Sequence, residues 1–159
     1  MNDKKRVIAV VALLGFMSAG IVAAVLREKN SPSQRREEPP PSSVDGKGPV
    51  VIYYFHGHQR CAGCIRTEKM LGDAAREAFS EELKNGTVVF RPINVEDLAN
   101  VDLVERFRVT ARYPVIADEA DGPGGPWQEL KRLPGAPGPM RELLESVVRP
   151  MLEKRKAAP

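Results

Sequence analysis

The run VVIYYF, Val50 to Phe55, consists entirely of β-branched and aromatic residues. A strand sends alternate side chains to opposite faces, so a run without polar alternation has to bury both of them. This segment is therefore expected to be the central strand of a sheet whose two faces are covered. The stretch FHGHQRCAGC, Phe55 to Cys64, follows at once and contains all the cysteines and histidines of the chain. Two cysteines spaced as CxxC at the exit of a central strand point to a chemical site.

The residues after that site alternate between strand and helix patterns. Met70, Leu71, Ala74, Ala75, Ala78, Phe79 and Leu83 recur at helical spacing, and Asn85-Gly86 is a suitable stop because both residues tolerate a left-handed backbone. Thr87 to Val95 reads as a second strand. Leu98, Val101, Leu103, Val104 and Phe107 give an imperfect apolar face to a helix from about Asp97 to Arg108. RYPVIAD enters a third strand through Pro114, and the turn-rich DEADGPGGP joins it to WQEL as a hairpin. Met140, Leu143, Leu144, Val147, Val148 and Met151 mark a closing helix that Pro150 should kink or end. The sum is an α/β domain, βαβαββα. A right-handed crossover makes the early strands parallel, the hairpin adds an antiparallel pair, and helices cover both faces of a mixed four-stranded sheet.

The amino-terminal third has a different character. A basic head, Lys4 to Arg6, precedes an uncharged run from Val7 to Leu26, long enough as a helix to cross a bilayer's hydrocarbon core of about 30 Å. That length favours a membrane anchor over residues 1–26 against a cleaved signal sequence, whose apolar part runs to about 7–15 residues. Residues 27–49, with Pro39, Pro40 and Pro41 in a row, cannot bury enough surface to fold and read as a flexible, Pro-rich linker. Residues 50–159 form the folded domain. Basic residues flank the apolar run on both sides, so orientation rests on the likeness of the head to an export signal, which puts the domain outside the cytoplasm. Residues 1–49 carry 8 of the 24 Lys and Arg and 5 of the 21 Asp and Glu, leaving 16 of each sign beyond them. A formally neutral domain lacks the clustered positive charge that nucleic-acid binding requires.

A strand, CAGC at 61–64 opening a helix, a βαβ unit and YP at 113–114 opening the hairpin together resemble the thioredoxin-like family of thiol-disulfide oxidoreductases. The resemblance covers about residues 50–153. It implies a thioredoxin-like fold and a redox-active pair that exchanges electrons with protein thiols and disulfides, with no cofactor. It further implies that Pro114 is a cis-proline facing the pair and that the backbone of Tyr113 binds the partner peptide. A trans-proline that simply starts an edge strand is the other reading. Thioredoxins carry Trp before the first cysteine and Gly-Pro between the two, where this chain has Arg60 and Ala62-Gly63. Their buried Asp is replaced by Phe55, leaving Glu68 or a histidine to handle protons.

The residues themselves support dithiol chemistry. A thiolate at a helix N-terminus is stabilised by free backbone N–H groups and the helix dipole, which suits Cys61 to attack and Cys64, one turn on, to resolve the mixed disulfide. His58, Arg60 and Arg66 add positive charge, so His58 and Arg60 are read as modulators of the Cys61 thiol. The alternative is a non-catalytic binding module or a zinc or copper carrier using His56, His58, Cys61 and Cys64, two nitrogens and two sulfurs. Partner identity, direction of electron flow and oligomeric state are not encoded in any motif of the chain.

Overall fold

The computed structural model describes residues 47–110 and 113–157. The anchor expected at residues 1–26, and the linker as far as residue 46, lie outside the described residues. No described helix is long and apolar enough to cross a membrane. The elements run β1 (Val50–His56), α1 (Ala62–Ala78), α2 (Ser80–Lys84), β2 (Val88–Asn94), a 3-10 turn (Leu98–Asn100), α3 (Val101–Arg106), β3 (Pro114–Asp118), β4 (Trp127–Glu129) and α4 (Pro137–Ala157). The sheet order is β2-β1-β3-β4. β1 is parallel to β2, with Val50 opposite Val88 and His56 opposite Asn94. It is antiparallel to β3, with Tyr54 opposite Pro114. The hairpin partner β4 closes the edge. Apart from the extra short helix, this is the mixed four-stranded α/β arrangement expected from the alternation of strand and helix patterns.

Period-two alternation in β1 divides the interior into two cores. Val50, Ile52 and Tyr54 face Leu71, Ala74, Ala75, Met140, Leu144 and Val148 of α1 and α4. Val51, Tyr53 and Phe55 face Ile93, Phe107, Val115 and Ala117 on the other side. All six strand residues are at most 3% exposed. Full burial of one large apolar side chain contributes about 1.5–3 kcal/mol, so the central strand dominates both cores.

Several local expectations are corrected. The first long helix is broken at Phe79 (φ −135°, ψ 39°), and α2 is a separate turn and a half. The break lets Phe79 enter the core completely, and the Ala78 carbonyl that it frees accepts from Arg149 of α4 at 3.3 Å. Gly86, just past α2, has φ 75°, the left-handed stop expected at Asn85-Gly86. In the next segment Leu98 is 87% and Val101 46% exposed, while Leu103 and Phe107 pack inward. A 3-10 turn advances about 120° per residue, so it shifts Leu98 out of phase with the apolar positions of α3. Pro150 does not end α4, which continues to Ala157. Both Pro150 and Ser146 are exposed, so water can satisfy the carbonyl that loses its i+4 donor.

At the start of β1, Gly48 donates to the Ala120 carbonyl and Glu119 donates to that of Pro49. A Cβ at Gly48 would sit 1.9 Å from the Glu119 carbonyl oxygen, so only glycine permits this approach. Arg155 of α4 closes the corner, donating to the Gly48 carbonyl at 2.7 Å and pairing with the Asp118 carboxylate. Beside it the Glu119 carboxylate accepts from Arg106 (2.8 Å) and from the Tyr53 hydroxyl (3.3 Å).

Burial first, and the Glu119 charge second, push the Tyr53 hydroxyl up to about 12. An unfolded tyrosine titrates near 10, so the folded chain holds this proton more tightly than the unfolded one. The associated stability is complete below about pH 10 and is lost as pH rises from there to about 12. In urea unfolding between pH 9 and 11.5 the wild type should lose about 2 kcal/mol more than Tyr53→Phe. Equal losses would contradict this origin.

Candidate active site

The site is built where β1 hands the chain to α1. Cys61 is the N-cap of α1, with an extended backbone (φ −71°, ψ 157°), and its sulfur accepts the Cys64 N–H at 3.1 Å. That contact has the geometry of a Ser or Asp cap, with Sγ in place of oxygen, and it satisfies one of the N–H groups that every helix start leaves unpaired. Ile65 N–H donates to the Cys61 carbonyl at 3.1 Å. No acidic side chain occupies the first turn. Negative charge on Cys61 Sγ would thus meet an N–H and the positive end of a helix of 17 residues.

Cys61 and Cys64 are joined as a disulfide, with Cα atoms 5.1 Å apart. Cys61 is exposed and Cys64 half-buried, so an external sulfur can approach the first more readily than the second. The interior side of the turn is held by Tyr54. Its ring is 1% exposed in the α-helical core, and its hydroxyl donates to the Cys64 carbonyl at 3.1 Å.

The polar neighbours are each held by a specific partner. Arg60 forms an ion pair with Glu68, two turns into α1, so a carboxylate accompanies the positive charge expected there. His58 is exposed, and its backbone N–H donates to Glu96 Oε1 at 3.1 Å. His56 donates from Nδ1 to the Gly57 carbonyl at 3.0 Å. Among the described residues no group of three or more His, Cys, Asp or Glu is gathered to hold a metal ion. The alternative metal set of His56, His58, Cys61 and Cys64 is not gathered among the described residues. His56 is turned to its own backbone, and the two sulfurs are bonded to each other.

Pro114 is buried at the first position of β3, opposite Tyr54, and Tyr113 is half-buried beside it. The register therefore brings both to the end of the sheet from which the chain departs for Cys61. The peptide between them is trans, because no cis bond occurs among the described residues. This corrects the cis bond that the resemblance implied. An X-Pro bond favours trans by about 0.5–1 kcal/mol, and at a strand's first position proline needs no N–H partner. Its carbonyl still accepts the Leu130 N–H at 2.9 Å, so the hairpin forms with the trans bond in place.

Tyr54 and Glu96 were not picked out by motif or spacing. A signal for Tyr54 was present, since a tyrosine inside a fully buried strand has to find a partner for its hydroxyl. Nothing in the sequence marks Glu96.

No family model matches the chain, and no curated protein matches it. Among solved structures it is similar to the first two thioredoxin domains of Saccharomyces cerevisiae Eps1p, at 18% identity and a TM-score of 0.47 over 67% of this chain. It spans 36% of that longer chain. It is also similar to a thioredoxin-like protein from Clostridium perfringens, at 16% identity and a TM-score of 0.44, covering 67% of this chain and 78% of that one. A thioredoxin from Thermus thermophilus gives 23% identity and a TM-score of 0.39, with 66% and 75% covered.

The Arg60–Glu68 pair yields opposite expectations for its two halves. In the reduced chain at low salt, Glu68→Gln should speed alkylation of Cys61 about two- to fivefold by leaving the guanidinium uncompensated. Arg60→Ala should slow it by leaving the carboxylate alone. Rates that move in the same direction in both variants, or not at all, would show that the pair has no electrostatic part in thiol reactivity.

Proposed function

We propose that this chain is a thiol-disulfide oxidoreductase acting on protein thiols and disulfides. The observation that carries the reading is the Cys61–Cys64 disulfide at the N-terminus of α1, with the more exposed sulfur receiving a backbone N–H. When the reduced pair meets a partner disulfide, the Cys61 thiolate attacks one partner sulfur. A mixed disulfide forms, and the other partner sulfur leaves as a thiolate and takes up a proton. Cys64 then gives its proton to water and attacks Cys61 Sγ. The internal disulfide is restored and the second partner thiolate departs. Two electrons pass from the cysteines to the partner, and the same steps reversed oxidise a partner dithiol. The reduction potential relative to the partner sets the direction.

Tyr113 and Pro114 are proposed as the edge against which a partner peptide lies. Their support is the register, which sets Pro114 opposite Tyr54, the residue whose hydroxyl holds Cys64. His58 and Arg60 are proposed to tune Cys61, Arg60 in concert with Glu68. The apolar run from Val7 to Leu26 supports a single-pass anchor, with the domain outside the cytoplasm and concentrated near membrane-bound partners.

The full-length chain, equilibrated in graded glutathione buffers and then alkylated and weighed, should show one reversible two-electron transition. Cys61→Ser should abolish exchange with a partner disulfide, whereas Cys64→Ser should accumulate a mixed disulfide. Exchange that persists in Cys61→Ser would overturn the assignment. Release of the chain from membranes by alkaline carbonate would remove the anchor without touching the chemistry.

A further inference from the structure

We propose that Tyr54 is a positioning residue that sets the thiol-disulfide equilibrium of Cys61 and Cys64, an inference that rests on the oxidoreductase reading above. The Tyr54 hydroxyl donates to the carbonyl of Cys64. That carbonyl belongs to the same peptide unit as the Ile65 N–H, which donates to the carbonyl of Cys61. A hydrogen-bonded path thus runs from the core, through one peptide plane, to the backbone of the attacking cysteine. Donation to one end of a peptide strengthens donation from its other end. The turn that this path holds is the one in which the Cys64 N–H reaches Cys61 Sγ.

The two redox states depend on that path unequally. In the oxidised chain the disulfide itself closes the turn, so the hydroxyl is redundant as a constraint. In the reduced chain the covalent link is gone, and Tyr54 together with the helical bonds has to keep the Cys64 N–H on the sulfur. The same N–H contributes more when its acceptor is a thiolate than when it is a neutral disulfide sulfur. Both differences favour the dithiol form, so the hydroxyl makes the pair a stronger oxidant.

Tyr54→Phe removes the hydroxyl while keeping the ring in its pocket, and it leaves Arg60 with Glu68, His58 with Glu96, and Arg66 in place. Tyr53→Phe is the matched control, since its hydroxyl is also buried and bonded, but to Glu119 on the opposite face. In glutathione titrations of the full-length chain, Tyr54→Phe should shift the equilibrium about three- to tenfold toward the disulfide, the range of one net hydrogen bond. Alkylation of its reduced Cys61 should slow in parallel. Tyr53→Phe should lower the denaturation midpoint while leaving the redox equilibrium within about 1.5-fold of wild type, because no bond in this path is lost.

An unchanged equilibrium in Tyr54→Phe, or an equal shift in Tyr53→Phe, would overturn the positioning role while the wild-type transition still upheld the oxidoreductase. A wild type without any reversible transition would overturn both. Should Tyr54→Phe fail to fold, amide exchange in the reduced wild type decides the matter. A protected Ile65 N–H supports the path, and exchange at the unprotected rate rejects it.

Discussion

Burial of β1 on both faces is the constraint from which the other features follow. A strand with covered faces offers water to none of its side chains, so each of its two tyrosine hydroxyls must find a partner inside the protein. The period of two sends them in opposite directions. Tyr53 goes to the Glu119 carboxylate, which Arg106 also holds, and Tyr54 goes to the first turn of α1. One strand therefore anchors a structural ion-pair corner on one side and the cysteine turn on the other.

The cysteine turn combines three ordinary devices. A helix start provides unpaired N–H groups, an N-cap position turns one side chain back toward them, and a buried donor secures the Cys64 carbonyl at the end of the first turn. Sulfur in the N-cap position makes the capping contact chemically productive, because the acceptor is also the nucleophile. The absence of acidic residues from the first turn keeps the helix end positive toward it. Farther out, Arg60 comes with the Glu68 carboxylate attached, and the backbone N–H of His58 is held by Glu96.

Much of this was legible in the residues. VVIYYF announced a central strand, Asn85-Gly86 marked a stop, and the turn-rich stretch before Trp127 marked a hairpin, all by local physics, whereas CAGC as the helix start came from the resemblance. What escaped was set by tertiary contacts. The break at Phe79 depends on an arginine 70 positions later that caps the Ala78 carbonyl and lies over the Phe79 ring at 5.4 Å. The outward turn of Leu98 depends on a 3-10 start that apolar spacing does not reveal. Of the two outcomes expected at Pro150, a kink or an end, the end does not occur, because the exposed face of the helix tolerates the proline. The cis bond at Pro114 was inferred from a resemblance, whereas the strand that it opens forms with a trans bond. Trp127 is 41% exposed, yet it lies edge-on to Phe107 at 5.5 Å, a sheet-face position.

The Gly48 corner has a mechanical consequence. A load applied through the chain before Lys47 reaches β1 at its first residue, where Gly48 is tied to Ala120 and to Arg155 and where Val50 donates to Thr87. Because β1 is paired on both sides, a pull directed along its axis loads its hydrogen bonds side by side and does not peel them off one at a time. Tension entering here is shared by the two neighbouring strands and by the end of α4. The cysteine turn lies beyond the far end of the same strand and shares none of the contacts that receive this load.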